Sequence, residues 1–345
     1  MMNQDAIGSS LCTVVPWSEL RRTIAMKNTN MKMDAWWKRG LLLLFLWFAS
    51  RICLGVDAWG ADGHRMTCLL AQPLLSPSAA KAVKNLLPND AHDLASLCTW
   101  PDDIRHQWKW HWSSPLHFID TPDFLCGYNY DRDCHNSQGE SGMCVAGAIN
   151  NYTSQLLAYR HQFSFKSSDP NLQLLTTDES SSYNLTEALL FLAHFVGDIH
   201  QPLHVGFTGD AGGNTILVHW YRRKYNLHHI WDDEIINTAK EKYYDSEISM
   251  MTKAISKNID VQWNNVTSEW SGCENGEIAC PDTYAVESIQ AACKWAYKNA
   301  SPGSVLEDDY FLSRLPILEK RLAQGGVRLA AILNRIFAEA SSVEK

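Results

Sequence analysis

An all-α fold, in one globular domain stapled by disulfides, is what this sequence predicts, on three observations. Apolar residues recur at spacings of three and four through several segments. Convincing alternating runs are few. Eight cysteines, an even set, remain once a leader-like segment is set aside.

The leader comes first in the chain. Lys38 and Arg39 form a basic flank, Leu41 to Phe48 an apolar run, and Val56-Asp57-Ala58 a small-residue cleavage pattern. That run is about half of the ~20 residues a spanning helix needs, so removal after Ala58 is expected rather than a permanent anchor. Met31 and Met33 are alternative starts. The expected organisation is a removed extension and signal over 1–58, a domain over 59–337 and a short, trimmable tail over 338–345.

After the leader, "SAAKAVKNLLP" (78–88) reads as a short helix stopped by Pro88. "LTEALLFLAHFVGDIH" (185–200) is the strongest helix, with Asn184 and Glu187 placed as a cap. "TILVHWY" (215–221) is the best strand. "VESIQAACKWAYKNA" (286–300) and "GVRLAAILNRIF" (326–337) return to helical spacing. Polar loops are expected near 126–144, 165–183 and 271–283. Cys68, Cys98, Cys126, Cys134, Cys144, Cys273, Cys280 and Cys293 are the expected disulfide set, with Cys134–Cys144 and Cys273–Cys280 as local clips across short polar loops. Sequons at Asn151, Asn184 and Asn265 suit a glycosylating secretory route.

Of 30 Lys/Arg and 38 Asp/Glu the leader carries 7 and 4, leaving 23 and 34 and a net charge of −11. That excludes a broad basic face for nucleic acid but not local positive charge from bound cations.

All thirteen histidines lie between residues 64 and 229. His194 and Asp198 are four apart on the strongest helix, so imidazole and carboxylate share one face. His228 and Asp232 repeat the spacing, and His204 lies between the pairs, just past Pro202. Each interrupts apolar surroundings, where burial costs several kcal/mol unless the group is paired or ligated. Upstream, "WPDDIRH" (100–106) offers Asp102 or Asp103 and Arg105, and "SPLHFID" (114–120) offers His117 and Asp120. "HQWKWHW" (106–112) alternates tryptophans; core filling is the expectation, base stacking the rival. Nitrogen and carboxylate donors, with the thiols committed to disulfides, point to zinc or another borderline divalent ion, and closely spaced ions suit phosphoryl chemistry.

"WGADGH", "WPDDIR", "SPLHFID", "ALLFLAHFVGDIHQPLHVGF", "GGNT" and "NLHHIWD" together resemble the secreted zinc-dependent single-strand nucleases of plants and fungi, the plant bifunctional nucleases among them. The likeness runs from Trp59 to Phe337. It implies an all-α fold with a three-zinc cleft. One zinc would take Asp102, His117, His194 and Asp198. A second would take Asp198 as a bridge, His64, and the amine and carbonyl of Trp59, the amine existing only after cleavage. The third would take His204, His228 and Asp232. The family's Trp-x-Asp pattern selects Asp102 over Asp103.

Asp102 would help orient the nucleophile and Arg105 would stabilise transition-state charge. Phe118 and Asp120 would stack on and hydrogen-bond the nucleobase, with Asn214 a further base contact. The implied substrates are single-stranded DNA and RNA, cut to 5′-phosphorylated products, and 3′-nucleotides. The implied protein is a monomer in the secretory pathway, apoplast or vacuole, with no stable protein partner. A zinc phospholipase C of the same fold and an inactive zinc-binding glycoprotein are the alternatives.

Overall fold

The computed structural model describes residues 59–164 and 183–338. The expected leader, nearly all of the polar loop at 165–183 and the tail from 339 lie outside the described residues. Among those described, no helix is long and apolar enough to cross a membrane.

In chain order the principal elements are α1 (Ala61–Ala71), α2 (Pro77–Leu86), α3 (Trp100–Arg105), α4 (Val145–Ser164) and α5 (Leu185–Asp198). Strands β1 (Leu217–Trp220) and β2 (Arg223–Asn226) follow, then α6 (Leu227–His229), which runs through a π turn (Ile230–Glu234) into α7 (Ile235–Tyr243). The chain closes with α8 (Ile248–Val261), α9 (Pro281–Ala291), β3 (Val305–Leu306) and α10 (Asp308–Ile336).

Helix α5 is the axis of the molecule. The Asn184 side chain accepts a hydrogen bond from Glu187 N at 3.2 Å, which fixes its start. Every residue from Ala188 to Asp198 is buried, as expected of a helix that is apolar all round. Helices α4, α3, α1 and α10 pack around it. His194 and Asp198 are thereby carried into the centre of the protein rather than onto its surface.

The expected helix at 78–88 is α2, capped by Ser76 and ended before Pro88. The segment expected at 286–300 begins earlier, at Pro281, and its second half is a π turn, Ala292–Ala296. The segment at 326–337 is the end of the 29-residue α10, whose first half holds Pro316. Proline there removes the bond to the Leu312 carbonyl. Both residues are exposed, and water can meet that carbonyl, so the helix continues through a residue that reads as a breaker.

The one strand expected, at 215–221, contains β1. It is the middle of a small sheet in the order β2-β1-β3, antiparallel to β2 and parallel to β3. Both local clips are present, Cys134–Cys144 and Cys273–Cys280. Two longer bridges join them: Cys68–Cys98 ties α1 to the approach to α3, and Cys126–Cys293 closes a separation of 167 residues.

Behind the C-terminal end of α5 sits an ionic group of two buried arginines and a partly exposed glutamate. Glu287 of α9 accepts from Arg321 at 2.6 Å and from Arg328 at 2.6 and 2.7 Å, both arginines coming from α10. Arg321 Nε donates to the His200 carbonyl and Arg328 Nη1 to His200 Nε2. The turn that follows Asp198 is held in place from behind.

Candidate active site

Six stretches of chain deliver one buried cluster. His64 comes from α1, Asp102 and Arg105 from α3, His117 from the end of a 3-10 segment (Trp108–His117), His194 and Asp198 from α5, and His204 from the short turn after Pro202. His228 and Asp232 come from α6 and its π turn. None of these residues is more than 9 % exposed. His194 and Asp198, four apart, point to the same place, as do His228 and Asp232. His229 and Asp233 share that spacing one residue later, yet form a part-exposed surface pair. Spacing alone does not make a site.

Asp198 is the hub. Its carboxylate lies 3.0 Å from His117, 3.3 Å from His64, 3.3 Å from His194 and 3.4 Å from His204. Asp102 lies 3.5 to 3.7 Å from His117, His194 and His64, whereas Asp103 faces solvent. Three groups bring their donor atoms within 4.8 Å of one another: His64, Asp102 and His194; His117, His194 and Asp198; and His204, His228 and Asp232.

Backbone carbonyls set the imidazole orientations. His194 Nδ1 donates to Cys98 O at 2.7 Å, His204 Nδ1 to His117 O at 2.9 Å, and His228 Nδ1 to Gly212 O at 2.7 Å. The Nε2 atoms of His204 and His228 are left as lone pairs turned inward, the usual arrangement of a ligating histidine, while His194 Nε2 lies 3.1 Å from His117 Nδ1. Gly212 adopts φ 63° to present that carbonyl, a conformation suited to glycine.

His64 Nδ1 and Nε2, Asp102 Oδ1, Asp198 Oδ1, His204 Nε2 and His228 Nε2 make no hydrogen bond. At about 1–3 kcal/mol each, six such atoms would cost about 6–18 kcal/mol, comparable to the whole stability of a domain. A cation in their midst removes that penalty, and the nitrogen–oxygen donor set fits a borderline divalent ion.

The electrostatics agree. Burial disfavours the charged form of His194, but Asp198 and Asp102 outweigh it and push the imidazole up to about 10. The two carboxylates call for positive charge between them. At the third group burial lowers His204 to about 4, and burial with His204 alongside lowers His228 to about 3, so both are neutral donors at ordinary pH. Burial holds Asp232 well above the usual carboxylate range, the Gln201 hydrogen bond opposing it.

Trp59 is fully buried, its indole donating to Gly197 O at 2.8 Å, and Gly60 N donates to Asp232 O at 3.1 Å. The beginning of the domain is therefore pinned between α5 and the π turn, beside the cluster.

A cavity of about 260 Å³ opens beside the third group, lined among others by Arg105, Phe118, Asp120, Asn214, His204 and His228. Arg105 Nε lies 3.4 Å from Asp102 Oδ1. Phe118 is 39 % exposed, and burial raises the Asp120 carboxyl while His135 opposes. Asn214 donates its amide to Ala211 O at 2.8 Å.

The nuclease model of the S1/P1 family matches residues 59–338. The chain belongs to the S1/P1 nuclease family. It is 53 % identical over 298 residues to Endonuclease 4 of Arabidopsis thaliana, covering 85 % of this chain and 95 % of that one. Endonuclease 2 of the same plant is 55 % identical over 283 residues, 82 % and 91 % of the two chains. Nuclease S1 of Aspergillus oryzae is 31 % identical over 296 residues, 82 % and 93 %. This S1/P1 nuclease is thus a hydrolase, with three His/Asp groups able to hold metal in a mostly helical domain.

Gln201 was not signalled by the sequence. Its amide donates to Asp232 Oδ1 at 2.6 Å while its Oε1 accepts from Leu203 N at 2.5 Å. Nothing in its spacing distinguishes it from a surface glutamine. One expectation is corrected: of the "HQWKWHW" tryptophans Trp110 packs inward against Trp100 and Phe191, and Trp112 also meets Phe191 while 49 % exposed, but Trp108 is 95 % exposed. The ten-residue 3-10 segment, interrupted by Pro115, has no face wide enough to bury all three.

Proposed function

We propose that this chain is a secreted, zinc-dependent endonuclease that hydrolyses single-stranded DNA and RNA to 5′-phosphorylated products and also acts as a 3′-nucleotidase. The observation that carries the reading is the shared cavity: Arg105, Phe118, Asp120 and Asn214 line one recess with His204 and His228. A nucleobase in that recess sets its phosphate against the metal-capable cluster, and only a base outside a duplex stack can enter.

Three zinc ions are proposed. Asp102, His117, His194 and Asp198 would hold one; Asp198, His64 and the Trp59 amine and carbonyl a second; His204, His228 and Asp232 the third. When bound, closely spaced divalent ions supply the charge that acidifies a nucleophilic water and stabilises a leaving oxygen. Asp102 orients the attacking water through its carboxylate. Arg105 donates to the phosphoryl oxygens as charge grows on them. Phe118 stacks on the base, and Asp120 and Asn214 hydrogen-bond its edge. The polypeptide 59–337 is the working domain in this reading. It is freed of 1–58, glycosylated at Asn151, Asn184 and Asn265, which are all exposed, and active as a monomer in the secretory pathway, apoplast or vacuole.

The test uses protein secreted with its native N-terminus and loaded with zinc. Single-stranded RNA and DNA are digested with and without a chelator, and the phosphate-bearing end is identified. Chelator-sensitive 5′-phosphorylated products are expected. Hydrolysis of phosphatidylcholine with no attack on nucleic acid would overturn the proposal.

A further inference from the structure

Two chain segments that line the cavity, at Arg105 and at Phe118 to Asp120, are each followed within a few residues by exposed aromatics. Beyond Arg105 the chain reaches Trp108, 95 % exposed, and then Trp112, 49 % exposed. Trp110 between them anchors the strip, its ring 5.4 Å from Trp100 and 6.0 Å from Phe191. In the second segment, beyond Asp120, Phe124 is 87 % exposed, its ring 5.8 Å from that of Phe207. Its backbone stands in the left-handed region at φ 62°, an uncommon and costly conformation for a side chain of this size. Thr121 of the same loop is fixed to the cavity: its carbonyl accepts from Thr208 N at 2.8 Å, and Thr208 is a lining residue.

Leaving an indole and a phenyl ring in water forgoes the burial that such rings normally gain. The charge around the strip points to their occupant. In a domain of net charge −11, "HQWKWHW" carries exposed His106, Lys109 and His111 and no acid. An acid-free aromatic surface carrying Lys109, and following the cavity residue Arg105 directly in the chain, fits single-stranded nucleic acid. Reach is adequate too. Two residues separate Arg105 from Trp108, at most about 11 Å of chain, or about three stacked nucleotide rises of ~3.4 Å.

We infer that Trp108 and Trp112 in one segment, and Phe124 in the other, form outer stacking subsites for nucleotides flanking the one held in the cavity. This inference rests on the nuclease reading. The enzyme then binds a length of strand rather than one nucleotide, and its preference for long substrates resides in these rings.

The test compares kcat/KM for a dinucleotide and for single-stranded oligonucleotides of increasing length, using zinc-loaded wild type, Trp108→Ala, Trp108→Phe and Phe124→Ala. Each alanine variant is expected to lower kcat/KM on oligonucleotides by about 5- to 150-fold, the usual range for one lost stacking contact. Dinucleotide turnover stays at the wild-type level, and Trp108→Phe recovers most of the loss. An equal loss on both substrates would mean damage to the site itself and overturns the inference, as does no loss at any length. Wild type that cleaves neither substrate overturns the nuclease reading and the subsites with it.

Discussion

Removing the charge of Glu287 should weaken the protein more than any surface carboxylate could. Glu287 is shared by Arg321 and Arg328, whose side chains are 4 % and 3 % exposed. Glu287→Gln leaves two buried guanidinium groups facing a neutral amide. Breaking a fully buried pair in this way costs about 3–5 kcal/mol, even where replacing the entire group by apolar residues would not; with the Glu287 side chain 31 % exposed, the lower end of that range applies. A second route gives a similar figure. Burial alone would raise the Glu287 carboxyl, but the two arginines outweigh it and bring it down from 4.5 to about 2. At about 1.4 kcal/mol per decade of proton affinity, that is about 3 kcal/mol.

Because the carboxyl is lowered by folding, this stability is present above pH 4.5 and is lost as pH falls through about 2. The assay is thermal unfolding of zinc-loaded wild type and Glu287→Gln at matched pH values. A Tm lower by roughly 6–12 °C is expected for the variant near neutrality. The difference should narrow below pH 4.5, as the unfolded wild-type chain takes up the proton, and close near pH 2, as the folded carboxyl does. A shift under 2 °C, or one that does not change with pH, would refute the reasoning.

Gly197→Ala places a methyl group 2.8 Å from His64 Nδ1. The His64 ring stacks on His194 at 3.7 Å and cannot retreat freely. A loss of about 1–3 kcal/mol in denaturant unfolding and weaker zinc retention are expected, whereas alanine in an unconstrained helix would stabilise by up to ~1 kcal/mol. Gln201→Ala strips Asp232 of its donor and leaves Leu203 N without an acceptor. On the proposed three-zinc reading, titration with zinc should show one ion bound about 10- to 100-fold more weakly, with the others unaffected. Replacing both Cys126 and Cys293 by alanine reopens a 167-residue loop. About 5 kcal/mol of unfolding free energy should be lost on the chain-entropy account, and a loss below 1 kcal/mol would contradict it.

The sequence by itself determined what depends on near neighbours. The 3.6-residue period and the Asn184 cap define α5, and the four-residue spacings put His194 with Asp198 and His228 with Asp232 on common faces. Cys134–Cys144 and Cys273–Cys280 close short loops and were readable for the same reason. Composition and motif order together made the family legible.

Only the tertiary structure decided what depends on residues far apart in the chain. Asp198 becomes a hub because His64, His117 and His204 arrive from three other elements to join His194 of its own helix. Gln201 matters because Asp232, thirty-one residues later, folds back against it. Cys126 finds Cys293 across most of the domain. The surface pair of His229 and Asp233 shows the limit most directly, since it repeats the spacing of His228 and Asp232 and differs only in which side of the turn meets the core. Period and spacing assign a side chain to a face; packing decides whether that face meets solvent, a cavity or another charge.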